Sequence, residues 1–181
     1  MFDRQPTLMG QLLRLRPLVA ADYDGLYRAA ADPLIWAQHP DPSRARPAGF
    51  KVFFDKALES GGALVAIDQT DQQIIGTSRF HRVTSNEVMV GYTFLARAYW
   101  GGRFNSEMKR LMIDHAFRFV PAVTFRVGEN NLRSRRAVEK LGAIFEGFEP
   151  QPEWGQIHVI YRLSRNVWQL RGGAASAPDA S

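Results

Sequence analysis

Hydrophobic and polar positions follow two different periods along this chain. Segments in which apolar and polar residues alternate are typical of strands with one buried face, and apolar residues three or four positions apart indicate amphipathic helices. The alternating segments predict strands at residues 11–18, 63–67, 74–83, 87–95, 123–127, 143–148 and 157–163. The helical spacing predicts helices that begin near residues 22, 50, 103 and 131, the third of which extends to residue 120, just before Pro121.

The order of these elements indicates a mixed sheet. A strand, a helix and a strand follow one another in the middle of the chain, which implies one parallel strand pair inside an otherwise antiparallel sheet. The chain shows no internal repeat and no linker that would divide it. We therefore expect one domain at residues 1–170 and a disordered tail at residues 171–181, which are mostly alanine and other small residues.

Composition places the chain among packed globular proteins. Its 181 residues suffice for one domain with a substantial core, and 45% of them are hydrophobic and 12% aromatic. No apolar run reaches the ~20 residues that cross a bilayer, and residues 1–13 contain no apolar stretch of signal-peptide length. We therefore expect a cytoplasmic protein without a membrane partner.

Residue counts limit the chemistry further. The chain has no cysteine, which excludes disulfides, thiolate metal sites and cysteine nucleophiles. Its four histidines show no metal-ligand spacing, so we expect no bound metal. The net charge of +5 suits an anionic ligand such as a phosphorylated cofactor, and it equally suits RNA or solubility alone.

The pair Gly101-Gly102 stands between a predicted strand and the longest predicted helix. The first four amides of a helix lack internal partners, and the helix dipole adds partial positive charge there, so this position can hold a phosphate or pyrophosphate. Glycine allows close approach of such a ligand, and Arg103 adds a permanent charge. The alternative is an ordinary turn with a solvated arginine. Neither a Walker loop nor a dinucleotide-binding fingerprint is present.

Two motifs carry a resemblance to a known family. The segment Tyr99-Trp-Gly-Gly-Arg-Phe-Asn-Ser-Glu107 resembles the acetyl-CoA loop of the GNAT acetyltransferases, most closely the RimJ/RimL-type branch with its Tyr-Trp-Gly-x-Gly-Tyr-Ala-x-Glu pattern. The second signature of that branch appears as Asn131-Leu-Arg-Ser134 followed by Glu139-Lys-Leu-Gly142. Arg103 replaces the second glycine of the loop and Asn105 replaces a small residue, which puts side-chain contacts more in doubt than backbone contacts.

The resemblance covers residues 12–163 and implies a fold and an activity. The expected fold is α+β with α/β/α layers: a mostly antiparallel mixed sheet with one splayed parallel strand pair and about four helices. The expected activity is direct transfer of an acetyl group from acetyl-CoA to a primary amine, which is either a protein N-terminus or a small molecule. Dimers are common in such families, so a homodimer is also possible.

The resemblance also implies where acetyl-CoA binds. The pantetheine arm is expected along the backbone at Phe94 and Leu95, and the 3′-phosphate is expected near Arg136. The pyrophosphate is expected on the loop and first helical turn, formed by Gly101, Gly102, Arg103, Phe104, Asn105 and Ser106.

Three residues are candidates for the catalytic steps. Asn131 either caps its helix or faces the cofactor, and Ser134 is the family's candidate for a hydrogen bond to the coenzyme A sulfur. The general base is open. Many relatives have a glutamate where this chain has Met89, so Glu87, His81, Glu107 or a chain of waters are the alternatives.

The acceptor site is expected around the first two helices and the loop between them. This region is unusually aromatic, although large aromatics at helical spacing usually belong to the core; its members are Tyr23, Trp36, His39, Phe50, Phe53 and Phe54. Trp36 and His39 could line the mouth of the site. Three acids, Asp32, Asp41 and Asp55, could attract a cationic amine.

Two other classes of function remain open. The altered loop and Met89 leave room for an acyl-CoA-binding protein without turnover. A basic RNA-binding module would place Phe80 and Tyr92 on an open sheet face beside arginines, but its usual sequence signature is missing, so nucleic acid is not the expected partner.

Overall fold

The computed structural model describes residues 1–151 and 156–173, and this part of the chain forms eight strands and five α-helices. The strands are β1 (Leu8–Met9), β2 (Leu13–Pro17), β3 (Ala63–Asp68), β4 (Ile74–His81), β5 (Glu87–Leu95), β6 (Ala122–Gly128), β7 (Ile144–Gln151) and β8 (Gln156–Ser164). The helices are α1 (Tyr23–Ala30), α2 (Pro47–Glu59), α3 (Arg103–Phe117), α4 (Leu132–Lys140) and α5 (Arg165–Leu170). Within the described ranges, no helix combines the length and the apolar character needed to cross a bilayer.

The strands form one mixed sheet with the hydrogen-bonded order β1-β2-β3-β4-β5-β6-β8-β7. The pairs β1–β2, β2–β3, β3–β4, β6–β8 and β7–β8 are antiparallel. Strand β5 pairs with β6 in parallel, with Glu87 opposite Ala122 and Met89 opposite Thr124. Helix α3 makes the crossover that a parallel connection requires. The predicted α+β fold with one parallel strand pair is therefore confirmed.

The chain divides into two compact units. The N-terminal unit consists of Asp3–His81 and Gly91–Leu111. The C-terminal unit consists of Met1–Phe2, Arg82–Val90 and the chain from Met112 onward. Residues 174–181, most of the tail that the sequence predicts to be disordered, lie outside the described residues.

The core of the N-terminal unit lies between β3 and the helices α1 and α2. All six residues of β3 are buried, as expected for a strand that is covered on both faces. Helix α2 contributes Phe50, Phe53 and Phe54, and the ring of Phe54 lies 5.1 Å edge-on from that of Tyr23. Most of the predicted aromatic set therefore belongs to the core.

The core of the C-terminal unit is built on β6 and β8. Their buried side chains include Val123, Phe125, Val159 and Leu163, and these strands pair along their whole length. Helix α5 adds Trp168, whose indole N–H donates to a carboxylate oxygen of Asp114 at 2.7 Å. This contact attaches the last helix to the end of α3.

The hydrophobic pattern of the sequence does not predict two short elements, β1 and α5. Strand β1 has two residues and exists through its pairing with β2. Helix α5 has six residues, too few for a period to be recognised, and it begins after Ser164, whose hydroxyl oxygen accepts from the amide of Val167 at 3.3 Å. The described residues thus have five helices where the sequence predicts about four.

Helix α3 ends three residues earlier than its hydrophobic pattern predicts. Its last residue is Phe117, and the amides of Phe119 and Val120 both donate to the carbonyl of Ala116. The chain therefore closes the helix in a tight turn before Pro121.

We expect Gly142→Ala to destabilise the protein by about 1–2 kcal/mol, because Gly142 ends α4 with a φ of 92° that residues with a Cβ rarely adopt. Urea unfolding measures the change. The control is Gly147→Ala in β7, where a Cβ meets no atom within 4 Å and where we expect a change within about 0.5 kcal/mol. Equal losses in the two variants would contradict this account.

Candidate active site

The turn between β5 and α3 presents a helix start to solvent in the N-terminal unit. Gly101 has a φ of 75°, in the left-handed region that favours glycine, and the next two residues are exposed as well. A Cβ on Gly101 or Gly102 would meet no atom within 4 Å, so the space around both glycines is open. The first amides of α3 follow directly, and such amides lack acceptors within their own helix. The predicted anion-binding geometry is therefore present in the backbone of this turn.

Aromatic contacts hold the two sides of this turn. The indole N–H of Trp100 donates to the carbonyl of Leu95 at 2.9 Å, and the ring of Tyr99 lies 4.8 Å edge-on from that of Phe104. Leu95 and the preceding Phe94 are buried, and the Phe94 ring packs on core aromatics. Side chains of the motif thus shape the turn and leave the helix start exposed.

Glu107, the last residue of this motif, has a structural role. Its carboxylate accepts hydrogen bonds from the consecutive amides of Gln11, Leu12 and Leu13 at 2.8–2.9 Å. Burial opposes ionisation of Glu107, but these hydrogen bonds outweigh it and lower its pKa. Glu107, one of the alternatives for the general base, thus forms a tertiary contact that anchors α3 to the β1–β2 turn.

Lys109, one turn into α3, is buried and reaches β5. Its ammonium nitrogen donates to the hydroxyl of Thr93 at 2.7 Å, and that hydroxyl lies 2.7 Å from the hydroxyl of Ser78 on β4. Burial lowers the pKa of Lys109 to about 7. Sequence reasoning missed this residue, although it lies between Met108 and Met112 on the apolar stripe of the helix, which was the available signal.

Strand β5 has an unusual backbone conformation beside this network. Tyr92 has a φ of 52°, which costs free energy in a residue with a Cβ. A Cβ on its neighbour Gly91 would lie 2.9 Å from the Nε2 atom of His81, so the imidazole would have to shift. Strain of this kind concentrates at functional sites.

The second signature lies in the C-terminal unit. The side-chain oxygen of Asn131 accepts from the amide of Ser134 at 3.1 Å, so Asn131 caps α4 in this conformation. Ser134 lies half-buried in the first turn of that helix. Of the two roles expected for Asn131, capping is the one that the geometry displays.

Some charged residues around this signature contact buried side chains, and others are exposed to solvent. The hydroxyl of the buried Tyr161 donates to Glu139 at 2.6 Å and accepts from Arg135 at 3.0 Å. Glu139 of the motif therefore attaches α4 to β8. Arg136, the candidate for the 3′-phosphate, is exposed.

The candidate base Glu87 has a cationic partner in the C-terminal unit. Its carboxylate accepts from the guanidinium of Arg162, and Arg162 also lies 3.8 Å from Glu146. Met89, at the family's usual glutamate position, is buried among apolar residues.

The region expected to hold the acceptor differs from the prediction in two respects. Trp36 is 3% exposed and donates to the carbonyl of Ala30, so it forms part of the core and not an open mouth. The acids expected to attract a cationic amine are paired with cations of the protein; these pairs are Asp32–Arg97, Asp41–Arg44 and Asp55–Lys51. Their charges are therefore compensated.

Among residues 1–151 and 156–173, no group of three or more histidine or acidic side chains is arranged to hold a metal ion.

The sequence model of the family described as "Acetyltransferase (GNAT) domain" matches residues 13–144, which is most of the chain and extends over both units. The chain belongs to the GNAT acetyltransferase family. The acetyltransferase uses acetyl-CoA as its acetyl donor, as the family does. A comparison with curated proteins gives no match.

Solved structures with the same fold include several acetyltransferases. A GCN5-related N-acetyltransferase from Brucella melitensis has a TM-score of 0.81 and 20% identity, covering 91% of this chain and 81% of that one. An acetyltransferase from Agrobacterium tumefaciens has a TM-score of 0.70 and 23% identity, covering 88% and 95%. RimJ from Mycobacterium smegmatis, solved in complex with CoA-disulfide, has a TM-score of 0.67 and 16% identity, covering 94% and 95%. At these identities the likeness concerns the fold.

The buried lysine predicts a pH dependence of the acetyltransferase's stability. Its pKa is about 7 when folded and 10.5 as an ordinary value, so between these limits the unfolded chain binds a proton that the folded chain does not. Lys109 therefore makes the free energy of unfolding rise with pH, by at most about 1.4 kcal/mol per pH unit. Below pH 7 both states are protonated and this contribution is constant.

We expect Lys109→Met to abolish this rise. Urea unfolding of the unmodified protein and of Lys109→Met at pH 7.5, 8.5 and 9.5 measures how the free energy of unfolding changes with pH. The control is Lys51→Met, which removes an exposed lysine of α2 and should leave the slope unchanged. A slope that persists in Lys109→Met would show that the lysine is charged in the folded protein.

Proposed function

We propose that this acetyltransferase transfers the acetyl group of acetyl-CoA directly to a primary amine. The observation that carries the proposal is the exposed start of α3 behind Gly101, whose left-handed conformation turns the chain into the helix. A pyrophosphate at this place would meet backbone amides and the positive end of the helix dipole. We propose that Gly101, Gly102 and residues 103–106 bind it, that the pantetheine arm follows the backbone at Phe94 and Leu95, and that Arg136 contacts the 3′-phosphate.

The chemistry requires one bond to form and one to break. The neutral amine attacks the thioester carbonyl carbon; the C–N bond forms and the C–S bond breaks, while the nitrogen loses one proton and the departing sulfur takes one up. We propose that Ser134 donates a hydrogen bond to that sulfur and that Asn131 orients the first turn of α4 around it. A serine hydroxyl is a weak acid, so orientation is the larger part of this role.

We propose Glu87 as the general base. Its carboxylate accepts from the guanidinium of Arg162, which holds the side chain in place. A chain of waters that carries the proton from the amine to Glu87 would allow Glu87 to act as the base without touching the amine.

We also make proposals about the family branch, the domain organisation and the cellular location of this enzyme. The segments Tyr99-Trp100-Gly101 and Asn131–Ser134 favour the RimJ/RimL-type branch. We propose that residues 1–170 work as one catalytic domain, since the family model extends over both units. A cytoplasmic location and a homodimer stay predictions.

We expect acetyl-CoA to raise the melting temperature and Gly101→Val to abolish that shift, because valine cannot easily adopt the conformation of Gly101. The matched control is Gly61→Val at the end of α2, where φ is 56° and the surroundings are also open. Both variants should lose similar stability without ligand, and only Gly101→Val should lose the shift. A full shift in Gly101→Val would place the pyrophosphate elsewhere.

We expect Ser134→Ala to lower kcat about 10- to 100-fold, as loss of a hydrogen bond to a charged group does, while the affinity for acetyl-CoA stays within about twofold. Release of free coenzyme A with a panel of amines and N-terminal peptides measures kcat and identifies the acceptor. Ser85→Ala, in the exposed turn before β5, is the control. An unchanged kcat would remove Ser134 from the mechanism.

The same measurements separate the other classes of function. Binding of acetyl-CoA without transfer to any amine would support an acyl-CoA-binding protein. RNA binding without an acetyl-CoA shift would support the nucleic-acid alternative, which the complete burial of Phe80 already disfavours because a base could not stack on its ring.

A further inference from the structure

Arg79 is a buried cation that has no carboxylate partner within the part of the chain that the structure describes. It lies on β4 in the N-terminal unit and is 7% exposed. Its guanidinium lies over the ring of Tyr92 at 4.2 Å from the ring centre, and its Nε atom is buried without a hydrogen-bond partner. Among the ion pairs of the described residues, none joins Arg79 to an acid. A stacked ring compensates a desolvated charge only in part.

A second arginine lies close to it. The side chain of Arg44 is 11% exposed, and its guanidinium packs on the rings of Phe53 and Trp36, at 4.8 Å and 5.6 Å from their centres. Its Nε atom donates to Asp41 at 3.2 Å. The other carboxylate oxygen of Asp41 already accepts from the hydroxyl and the amide of Ser43. Asp41 therefore has little capacity left for a second cation.

The electrostatic balance of this cluster is positive. Burial lowers the pKa of Arg79, and the nearby charge of Arg44 lowers it further, while Tyr92 acts in the opposite direction on both arginines. Among residues 1–151 and 156–173, two guanidinium groups and one carboxylate leave one buried positive charge uncompensated. Such an arrangement costs stability unless a counter-ion joins it, and costs of this kind are typical of binding sites.

We propose that the acceptor of this enzyme is a small amine that carries a carboxylate, a free amino acid, and that Arg79 and Arg44 bind the carboxylate. The proposal rests on the acetyl transfer proposed above and names its substrate class. Guanidinium groups match the two oxygens of a carboxylate in a planar, bidentate fashion. The acids of this unit are compensated and offer nothing to a second cationic centre such as that of a polyamine.

The first experiment compares acceptors. Coenzyme A release is measured with the protein amino acids as free acids, as carboxamides and as the corresponding decarboxylated amines, together with spermidine and N-terminal peptides. We expect the best acceptor to be a free acid, with kcat/KM at least about 10-fold above its carboxamide, as a charge-assisted contact implies. A carboxamide, a decarboxylated amine, a polyamine or a peptide as the best acceptor overturns the proposal.

The second experiment tests the arginine. For the best free acid, Arg79→Gln should raise KM about 10- to 100-fold and leave both the kcat on the matched carboxamide and the acetyl-CoA-induced melting shift unchanged. Arg28→Gln removes the same charge from the exposed face of α1 and is the control. Equal loss on the acid and on the carboxamide would mean that Arg79 supports the fold and not the carboxylate.

A binding measurement separates failure of this inference from failure of the proposed function. In the presence of coenzyme A, N-acetyl amino acids as free acids should raise the melting temperature more than their carboxamides. A normal acetyl-CoA shift without this preference overturns the carboxylate site alone. Loss of the acetyl-CoA shift itself overturns the proposed transfer, and the preference for free acids then decides the carboxylate site independently.

Discussion

Three backbone amides from the turn that enters β2 converge on the carboxylate of Glu107, and this contact fixes the first turn of α3. Lys109, two positions further along and on a different face of the helix, fixes α3 to Thr93 of β5. The helix is thus held from two strands at the end where its amides are exposed. An anion site made of backbone amides depends on the direction of those amides. In the proposed acetyl-CoA site, the anchoring of α3 therefore matters as much as the glycine turn.

The buried charges of the N-terminal unit are compensated to different degrees. Glu107 has three amide donors, and Asp22 forms a bidentate contact with Arg16. Lys109 has hydroxyl contacts and a pKa of about 7, which reduces the cost of its burial. Arg79 has an aromatic face and a neighbouring cation. Glu107 and Asp22 thus have full structural partners, whereas the charge of Arg79 is compensated only in part. Such local inconsistencies are expected where a protein binds a ligand.

Much of the fold and the outline of the donor site follow from local sequence. The glycine turn, the Asn131 cap and the Gly142 terminus depend on backbone conformation and on residues within one helical turn, so their signatures are readable. Long-range partners are not. Glu107 reads as a first-turn acid although its partners precede it by more than 90 positions, and the acids suggested for the acceptor site bind cations that the sequence does not assign to them. The sequence does not predict helix α5 for a related reason. This helix depends on the long-range contact between Trp168 and Asp114.

By itself the sequence determined the alternation of strands and helices, the parallel connection through α3 and the two motifs that indicate acetyl-CoA. These properties depend on periodicity and on short-range backbone chemistry. Only the tertiary structure decided which charged residues are compensated. Arg44 and Arg79 are 35 positions apart, and neither stands in a motif; the fold buries Arg44 against Trp36 and Phe53 and Arg79 against Tyr92, near enough for one charge to act on the other. Electrostatic energy depends on distance and on removal from water, and both are set by the fold.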